Sequence, residues 1–198
     1  MQAANTGHLV FSTIHTNSAA TSITRLNDMG MDGYLVADNI IGIVSQSLIR
    51  KLCPHCKKEH IINEEDIEKY HAPTSLLGKK VFEKGEGCPH CNNNGYLGRT
   101  IAFEILAMTP SIMQAVHKRL PSSEIEKVAK SEGFVSKLDY SYGLVEQGIT
   151  TLAEVNRVLG GINSEKRTLK EIAEHYDPYH VYLNVTGGEP LMRKDLFD

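Results

Sequence analysis

The sequence predicts an α/β protein, because short strand-like runs alternate with segments that show helical apolar periodicity. Residues 8–14 are rich in strand formers and end before a polar turn, which predicts a buried strand. Residues 99–106 have the same character and predict a strand that returns the chain to its main body. Helix signals flank both strands.

The predicted helices are located by their end signals and by apolar spacing. Asn17 or Ser18 caps a helix that stops at Gly30, a residue suited to the left-handed conformation. Residues 38–51 carry apolar side chains at every fourth position, which predicts a core-facing helix directly before the first cysteine. An acidic run over residues 63–70 predicts a further helix.

The region after residue 106 carries two copies of the reciprocal capping box that begins helices. Ser123 and Glu126 form the first copy, and Thr151 and Glu154 form the second. Glycines separate the resulting pieces. This region is therefore predicted to be helical.

The composition is that of a soluble globular protein with one or two compact domains. The chain has 198 residues, of which 41% are hydrophobic and 23% charged, and its formal net charge is −3. Because a dedicated nucleic-acid binder normally has a basic surplus, this balance argues against nucleic-acid binding. The longest apolar run, residues 40–44, is far shorter than the roughly 20 residues that span a bilayer, and no secretory signal is readable. We therefore expect no transmembrane segment and a cytoplasmic location.

Two Cys-Pro-His-Cys motifs use all four cysteines of the protein. The four positions are Cys53, Cys56, Cys88 and Cys91. Two such knuckles bring four thiolates to the corners of a tetrahedron around one Zn²⁺, and a closed site of this kind supports structure rather than chemistry. The 31 residues between the motifs exceed the usual roughly 15–20, but an inserted helical loop accommodates the difference. The pattern therefore predicts a structural zinc site.

Three other uses of the cysteines stay open at this point. They are a pair of disulfides, a thioredoxin-like redox pair, and a mixed site that includes His55, His60 or His90. Disulfides require an oxidising compartment that the N-terminus does not indicate, and a redox pair would not occur twice. The four-cysteine zinc site is therefore favoured.

Several motifs, in the same order along the chain, resemble the ATPases that drive type II secretion and type IV pilus assembly. They are Thr-Gly-His-Leu-Val-Phe-Ser-Thr-Ile-His-Thr-Asn-Ser (residues 6–18), Leu-Ile-Arg-Lys-Leu-Cys-Pro-His-Cys (48–56), Gly-Tyr-Leu-Gly-Arg-Thr (95–100) and Gly-Ile-Thr-Thr-Leu-Ala-Glu-Val (148–155). The resemblance covers about residues 2–159. It implies the C-terminal part of a RecA-like P-loop ATPase domain, with an inserted four-cysteine zinc subdomain and a C-terminal helical bundle.

The same resemblance gives a role to two histidines. His8 and His15 match the two histidines of the family's histidine box, a strand and turn beside the nucleotide. His15 is then expected to sense or contact the terminal phosphate. Without the motif around them, histidines at the two ends of an apolar strand are more often structural residues.

The resemblance further implies a cytoplasmic hexamer, peripheral to the inner membrane, that couples ATP hydrolysis to protein transport and contacts membrane platform proteins. ATP and Mg²⁺ belong to the complete family protein, in which the phosphate loop precedes the histidine box. No Gly-x-x-x-x-Gly-Lys-[Ser/Thr] occurs in this sequence. We therefore expect a C-terminal piece that alone neither binds ATP tightly nor hydrolyses it. The alternative is a non-enzymatic, zinc-stabilised protein-interaction module of the same apparatus.

The sequence divides into four segments, of which the last has a different character. Residues 1–52 are the partial ATPase core, 53–98 the zinc subdomain, 99–160 the C-terminal strand and helical bundle, and 161–198 a tail. The tail predicts a helix over 168–176 and a strand over 180–186 before Gly-Gly-Glu-Pro, and it resembles a fragment of a radical S-adenosylmethionine enzyme. Because the three-cysteine motif of those enzymes is absent, no iron–sulfur cluster is expected.

Overall fold

The computed structural model describes residues 2–160 and a strand at Leu183–Thr186, and within these residues the protein is mixed α/β. The described residues fall into two compact units. The first contains residues 2–46, 103–137 and 183–186, and the second contains residues 47–102 and 138–160. No helix in the described part of the chain combines the length and apolarity needed to cross a membrane.

Helices and strands are interspersed along the chain. The helices are α1 (Gln2–Asn5), α2 (Ala19–Asp28), α3 (Gly33–Asn39), α4 (Glu64–Tyr70), α5 (Pro110–His117), α6 (Ser122–Ser131), α7 (Lys137–Glu146) and α8 (Leu152–Leu159). The strands are β1 (Ser12–Ile14), β2 (Gly42–Leu52), β3 (Lys58–Ile61), β4 (Lys80–Glu83), β5 (Tyr96–Ala107) and β6 (Leu183–Thr186). Short 3-10 turns occur at Thr74–Leu76 and Pro89–Cys91. One sheet has the order β1-β6-β2-β5, and β3 pairs with β4 in another.

The core of the first unit lies among α2, α3, α5 and α6. Its buried side chains include Ile23, Val36, Ile43, Leu106, Ile112 and Ile125. Helix α2 begins as predicted, because the Ser18 side chain accepts a hydrogen bond from the Thr21 amide within a complete capping box. The chain leaves α2 through Gly30, whose φ of +84° is a left-handed conformation that glycine adopts without steric cost.

The helix predicted over residues 38–51 is wrong, because this segment is the end of α3 followed by strand β2. A spacing of four residues places side chains on one face of a strand as well as near one face of a helix, so it does not distinguish the two. The buried side chains in the middle of β2 alternate, at Ile43, Ser45, Ser47 and Ile49. β-Branched residues are frequent in the segment, and they favour the strand.

The second unit has its own apolar core around α7 and α8. Its members include Ile49, Ile62, Leu76, Ala102, Val145, Val155 and Leu159. Thr151 caps α8 as predicted, by accepting a hydrogen bond from the Glu154 amide, but the reciprocal half of the predicted capping box is wrong, because the Glu154 carboxylate binds Arg50 and Arg157 instead. Helix α4 lies within the helix predicted over residues 63–70 and begins after an Asn63 cap. The capping box predicted at Ser123 is wrong. Helix α6 begins earlier, after Pro121, whose ring fixes the backbone and which has no side-chain hydrogen bond to offer.

The strand predicted over residues 8–14 forms only in its second half, as β1. Residues 8–11 are irregular, with Leu9 and Phe11 70% and 64% exposed, and no residue of β1 is buried, so the prediction of burial is wrong for the whole run. The reason lies in the partner strand, since β6 has only four residues and pairs with β1 over Ser12–Ile14 alone.

Strand β6 lies between β1 and β2 and is antiparallel to both. Val185 is opposite Thr13 on one side and opposite Val44 on the other. This strand falls within the stretch over which the sequence predicts one, residues 180–186. The helix predicted over residues 168–176 lies outside the described residues.

A buried carboxylate connects α8 to β2 in the second unit. Glu154 is 1% exposed. Its Oε1 accepts a hydrogen bond from the Arg50 amide at 3.0 Å, and its Oε2 accepts from the Arg50 guanidinium at 2.7 Å and from Arg157 Nε at 2.9 Å. Burial opposes ionisation, but the hydrogen bonds from Arg157 and Arg50 outweigh it and lower the pKa of Glu154 to about 2.

Replacing Glu154 with Gln is expected to lower the free energy of unfolding by roughly 3 kcal/mol at neutral pH, since each unit of pKa depression corresponds to about 1.4 kcal/mol. Because the folded-state pKa lies below the unfolded one, this stabilisation is complete above the unfolded pKa and is lost as the pH falls through the folded one. Urea unfolding of both proteins at a series of pH values measures the difference. Other groups that titrate at low pH change the stability of the unmodified protein and of the variant equally.

The matched control is Glu146→Gln, which removes an ion pair with Lys79 whose side chains are 41% and 44% exposed. Such surface pairs contribute roughly 0–1 kcal/mol. Equal losses for the two variants, or a difference that does not shrink at low pH, would contradict the role assigned to the Glu154 carboxylate.

Candidate metal centre

Each cysteine pair sits on a tight backbone turn at the end of a regular element. Cys53 directly follows β2, and its carbonyl accepts hydrogen bonds from the Cys56 and Lys57 amides at 3.4 and 3.1 Å. The second pair closes the 3-10 turn Pro89–Cys91, in which the Cys88 carbonyl accepts from the Cys91 amide at 3.1 Å. The Cys-x-x-Cys spacing thus lets both thiols of a pair project from one turn.

The four sulfur atoms of Cys53, Cys56, Cys88 and Cys91 all lie within 4.8 Å of one another. Measured Sγ–Sγ distances are 3.7 Å for Cys53–Cys88, 3.9 Å for Cys56–Cys91 and 3.8 Å for Cys88–Cys91. A tetrahedron with metal–sulfur bonds of 2.3 Å has edges of about 3.8 Å. The arrangement is therefore compatible with a four-thiolate zinc site.

The environment of Cys91 favours a thiolate. Burial opposes ionisation, but the Cys88 and Gly95 amides donate hydrogen bonds to Cys91 Sγ at 3.3 and 3.1 Å and lower the pKa of this thiol to about 6. Burial and the neighbouring thiols raise the pKa of Cys56 to about 12. A set of four sulfurs therefore ionises fully only when a cation shares the site, and metal binding releases the protons.

The other uses of the cysteines find less support in the geometry. All four cysteines are free, with sulfur atoms far beyond the roughly 2.05 Å of a disulfide. His55 and His90 stack on each other, with ring centroids 4.0 Å apart. His60 belongs to a different group, in which its Nε2 lies 2.7 Å from Asp66 Oδ2.

Two glycines allow the loop before the second motif to approach the cysteine turns. A Cβ atom on Gly85 would lie 1.8 Å from the carbonyl oxygen of Cys56. Gly87 has a φ of +108°, and a Cβ there would lie 2.5 Å from the backbone of Asn93. Only glycine permits both contacts, so the Gly-Glu-Gly segment is part of the site's framework.

The predicted histidine box lies in the first unit, at the two ends of the segment that contains β1. Both histidines are exposed. His8 Nδ1 is 3.0 Å from the Thr6 hydroxyl, and His15 directly follows the last residue of β1. Their roles toward a nucleotide stay predictions.

Two buried residues of opposite charge in the first unit were not predicted from the sequence. Glu104 on β5 and Lys137 at the start of α7 are 5% and 2% exposed. The signal was present for Glu104, because it shares one face of its strand with Ala102 and Leu106, and a charged residue on a buried face requires partners. No comparable pattern marks Lys137, whose neighbours in sequence are a mixture of apolar and polar residues.

Residues 1–157 match the family model described as type II/IV secretion system protein. The chain belongs to this family. It is 41% identical over 158 residues to the type IV pilus assembly ATPase PilB of Pseudomonas aeruginosa, a match that covers 80% of this chain and 28% of that protein. It is 36% identical over 158 residues to the type II secretion system ATPase E of Vibrio cholerae, which covers 80% of this chain and 31% of that protein.

A third relative of this secretion-family chain is the putative type II secretion system protein E of Escherichia coli, 37% identical over 163 residues. That match covers 80% of the chain and 31% of the relative. The chain therefore spans less than a third of the length of these relatives.

A Gly85→Ala substitution is expected to weaken metal binding by at least about tenfold, because the added methyl group would displace the Cys56 turn. Titration with Co²⁺, followed by its thiolate absorption and with a competing chelator present, measures the affinity. Gly143→Ala is the matched control, since nothing lies within 4 Å of a Cβ at this position of α7. Equal affinities for the two variants would show that the close approach of Gly85 does not shape the site.

Proposed function

We propose that this chain forms the C-terminal part of the ATPase domain of a type II secretion or type IV pilus assembly motor. The observation that carries the proposal is the family match over residues 1–157, together with relatives named as ATPases at up to 41% identity. The complete motor is a RecA-like hexamer at the cytoplasmic side of the inner membrane. In this motor the chain supplies the histidine box and the C-terminal helical bundle. Platform proteins of the membrane apparatus are its partners.

Nucleotide phosphates and Mg²⁺ are held by a part of the motor that this sequence does not contain. A phosphate loop uses consecutive backbone amides, a lysine and a hydroxyl to hold phosphates and metal, and no such motif occurs in the 198 residues. The chain alone is therefore proposed to lack ATP turnover. Within the motor, an imidazole at the end of β1 has the hydrogen-bonding capacity that phosphate sensing needs, and His15 occupies that place.

We also propose that the four cysteines bind one structural Zn²⁺. The sulfur–sulfur distances fit a tetrahedral set of thiolates, and Cys91 already accepts two amide hydrogen bonds. Zinc bound there would supply folding free energy rather than chemistry, on the order of 10–16 kcal/mol in small zinc peptides. Four cysteine ligands would complete the tetrahedral coordination of Zn²⁺ and leave no position for a water molecule.

The motor proposal is tested by joining the chain to the upstream, phosphate-loop half of a pilus assembly ATPase relative and measuring Mg²⁺-dependent ATP turnover. We expect turnover in the joined protein and none in the chain alone. His15→Ala should lower turnover at least about tenfold, as loss of a group that acts on the transferred phosphoryl does. His71→Asn is the control, because this exposed histidine ends α4 in a left-handed conformation that asparagine tolerates.

Turnover by the chain alone, or no turnover in the joined protein, would contradict the motor proposal. Equal turnover of the joined protein with and without His15 would contradict the role of that histidine. If the joined protein binds its platform partners but never hydrolyses ATP, the non-enzymatic interaction module is supported instead.

Removal of the metal is expected to unfold the second unit around the cysteines. Elemental analysis should find one zinc per chain, and a strong chelator should abolish hydrogen-exchange protection at the Leu52 and Cys53 amides, which bond to Ile149 and Gly95. A metal-free protein with intact protection, or one whose cysteines are paired as disulfides, would overturn the zinc assignment.

A further inference from the structure

Two buried residues of opposite charge contact the turn that follows β1. Glu104 Oε1 accepts a hydrogen bond from the Ala19 amide at 2.6 Å, and its Oε2 accepts from the Lys137 amide at 2.8 Å. Lys137 Nζ donates to the Asn17 carbonyl at 3.2 Å and to Ser45 Oγ at 2.9 Å. The turn between β1 and α2 is therefore held by groups on β5 and α7, and Ser45 of β2 holds the Lys137 ammonium.

The Glu104 bond satisfies a first-turn amide of α2, but the Lys137 bond goes beyond what the start of the helix requires. Ser18 already accepts the Thr21 amide, and the Thr21 hydroxyl accepts the Ser18 amide in return. The Asn17 carbonyl lies before the helix, so its bond to the Lys137 ammonium has no capping function. A buried ammonium is also costly, and a simple apolar side chain would fill the space without that cost.

Thr16 connects Asn17 to His15, and its side chain is also held in the turn. The Thr16 hydroxyl, between them, donates to the Ser18 carbonyl at 3.1 Å and lies 2.8 Å from Ser22 Oγ. Lys137 and Glu104 therefore hold the backbone at Asn17 and Ala19, two and four residues after His15.

We propose that Glu104 and Lys137 are the positioning residues of the histidine box, which hold the turn over residues 15–19 so that His15 keeps one place relative to β2 and β5. The part of this inference that concerns nucleotide rests on the proposed function. Burial lowers the pKa of Lys137 to about 8 while Glu104 opposes the change, so the ammonium form still dominates at neutral pH.

The test separates positioning from mere stability. Lys137→Met alone leaves the Glu104 carboxylate buried without its counter-charge, which destabilises the whole unit. The double variant Lys137→Met/Glu104→Gln removes both charges, and uncharged replacement of buried charges is often tolerated. It lacks the bond to Asn17, and its Gln side chain accepts only one of the two amides that Glu104 binds. Protection of the α5 amides shows whether the unit is still folded.

Hydrogen exchange of the 198-residue chain decides the structural part. In the double variant the amides over residues 16–20 should exchange at least about tenfold faster than in the unmodified chain, while the amides of α5 keep their protection. Unchanged exchange in the turn would overturn the proposal. Equal acceleration in the turn and in α5 would also overturn it, because the pair would then only stabilise the unit.

The functional part uses the joined protein described above. The double variant should lower kcat for ATP by about tenfold and leave KM within about twofold, since the phosphate loop that binds ATP is untouched. Lys130→Met, at an exposed lysine of α6 paired with Glu126, is the matched control. An unchanged kcat, or parallel changes in kcat and KM, would overturn the positioning role.

Failure of this inference is distinguishable from failure of the proposed function. If the unmodified joined protein has no turnover, the motor proposal is contradicted, and the exchange experiment on the chain still decides whether Glu104 and Lys137 hold the turn.

Discussion

Charge that is removed from water needs partners inside the protein, and both units are organised by this constraint. In the first, Glu104 binds the amide of Ala19, which lies 85 residues earlier in the chain. In the second, Glu154 binds the amide and guanidinium of Arg50, 104 residues earlier. A carboxylate with such partners fixes the distance between elements that apolar contacts alone would leave free to slide. Glu104 therefore fixes the start of α2 relative to β5, and Glu154 fixes α8 relative to β2.

The cysteine cluster follows the same rule in a different form. Four thiols packed at the observed distances make only weak contacts with one another, and four thiolates without a cation would repel each other. The amides that point at Cys91 Sγ favour the charged form, which is the form in which cysteine binds a metal. The cysteine geometry involves residues 53–95 alone and is independent of any ATPase activity.

Local signals predicted what is determined locally. The Cys-x-x-Cys spacing identified all four sulfur positions, and side chains that precede a helix predicted the caps at Ser18 and Thr151. The helix predicted over residues 38–51 is wrong because apolar residues four apart are compatible with both a helix and a strand. Burial of the face of β2 that contains Ile43 and Ile49 depends on segments that are distant in sequence. The partners of Glu104 lie far away in sequence, and so does Arg50, which binds Glu154, so no pattern of neighbouring residues could reveal these contacts. Only Arg157 is a near neighbour of Glu154. Exposure of Leu9 and Phe11 likewise depends on which strand pairs with β1.

The pairing of β6 shows why sheet order alone does not assign function here. Strand pairing uses backbone amides and carbonyls that every non-proline residue carries, so a strand of almost any origin satisfies an adjacent edge. Strand β6 begins at Leu183, beyond residue 157 where the family match ends, and yet it pairs with both β1 and β2. Its position therefore says nothing about secretion chemistry or radical chemistry. The functional assignment depends instead on the family match over residues 1–157, the range that also contains the two histidines, the four cysteines and the two buried carboxylates.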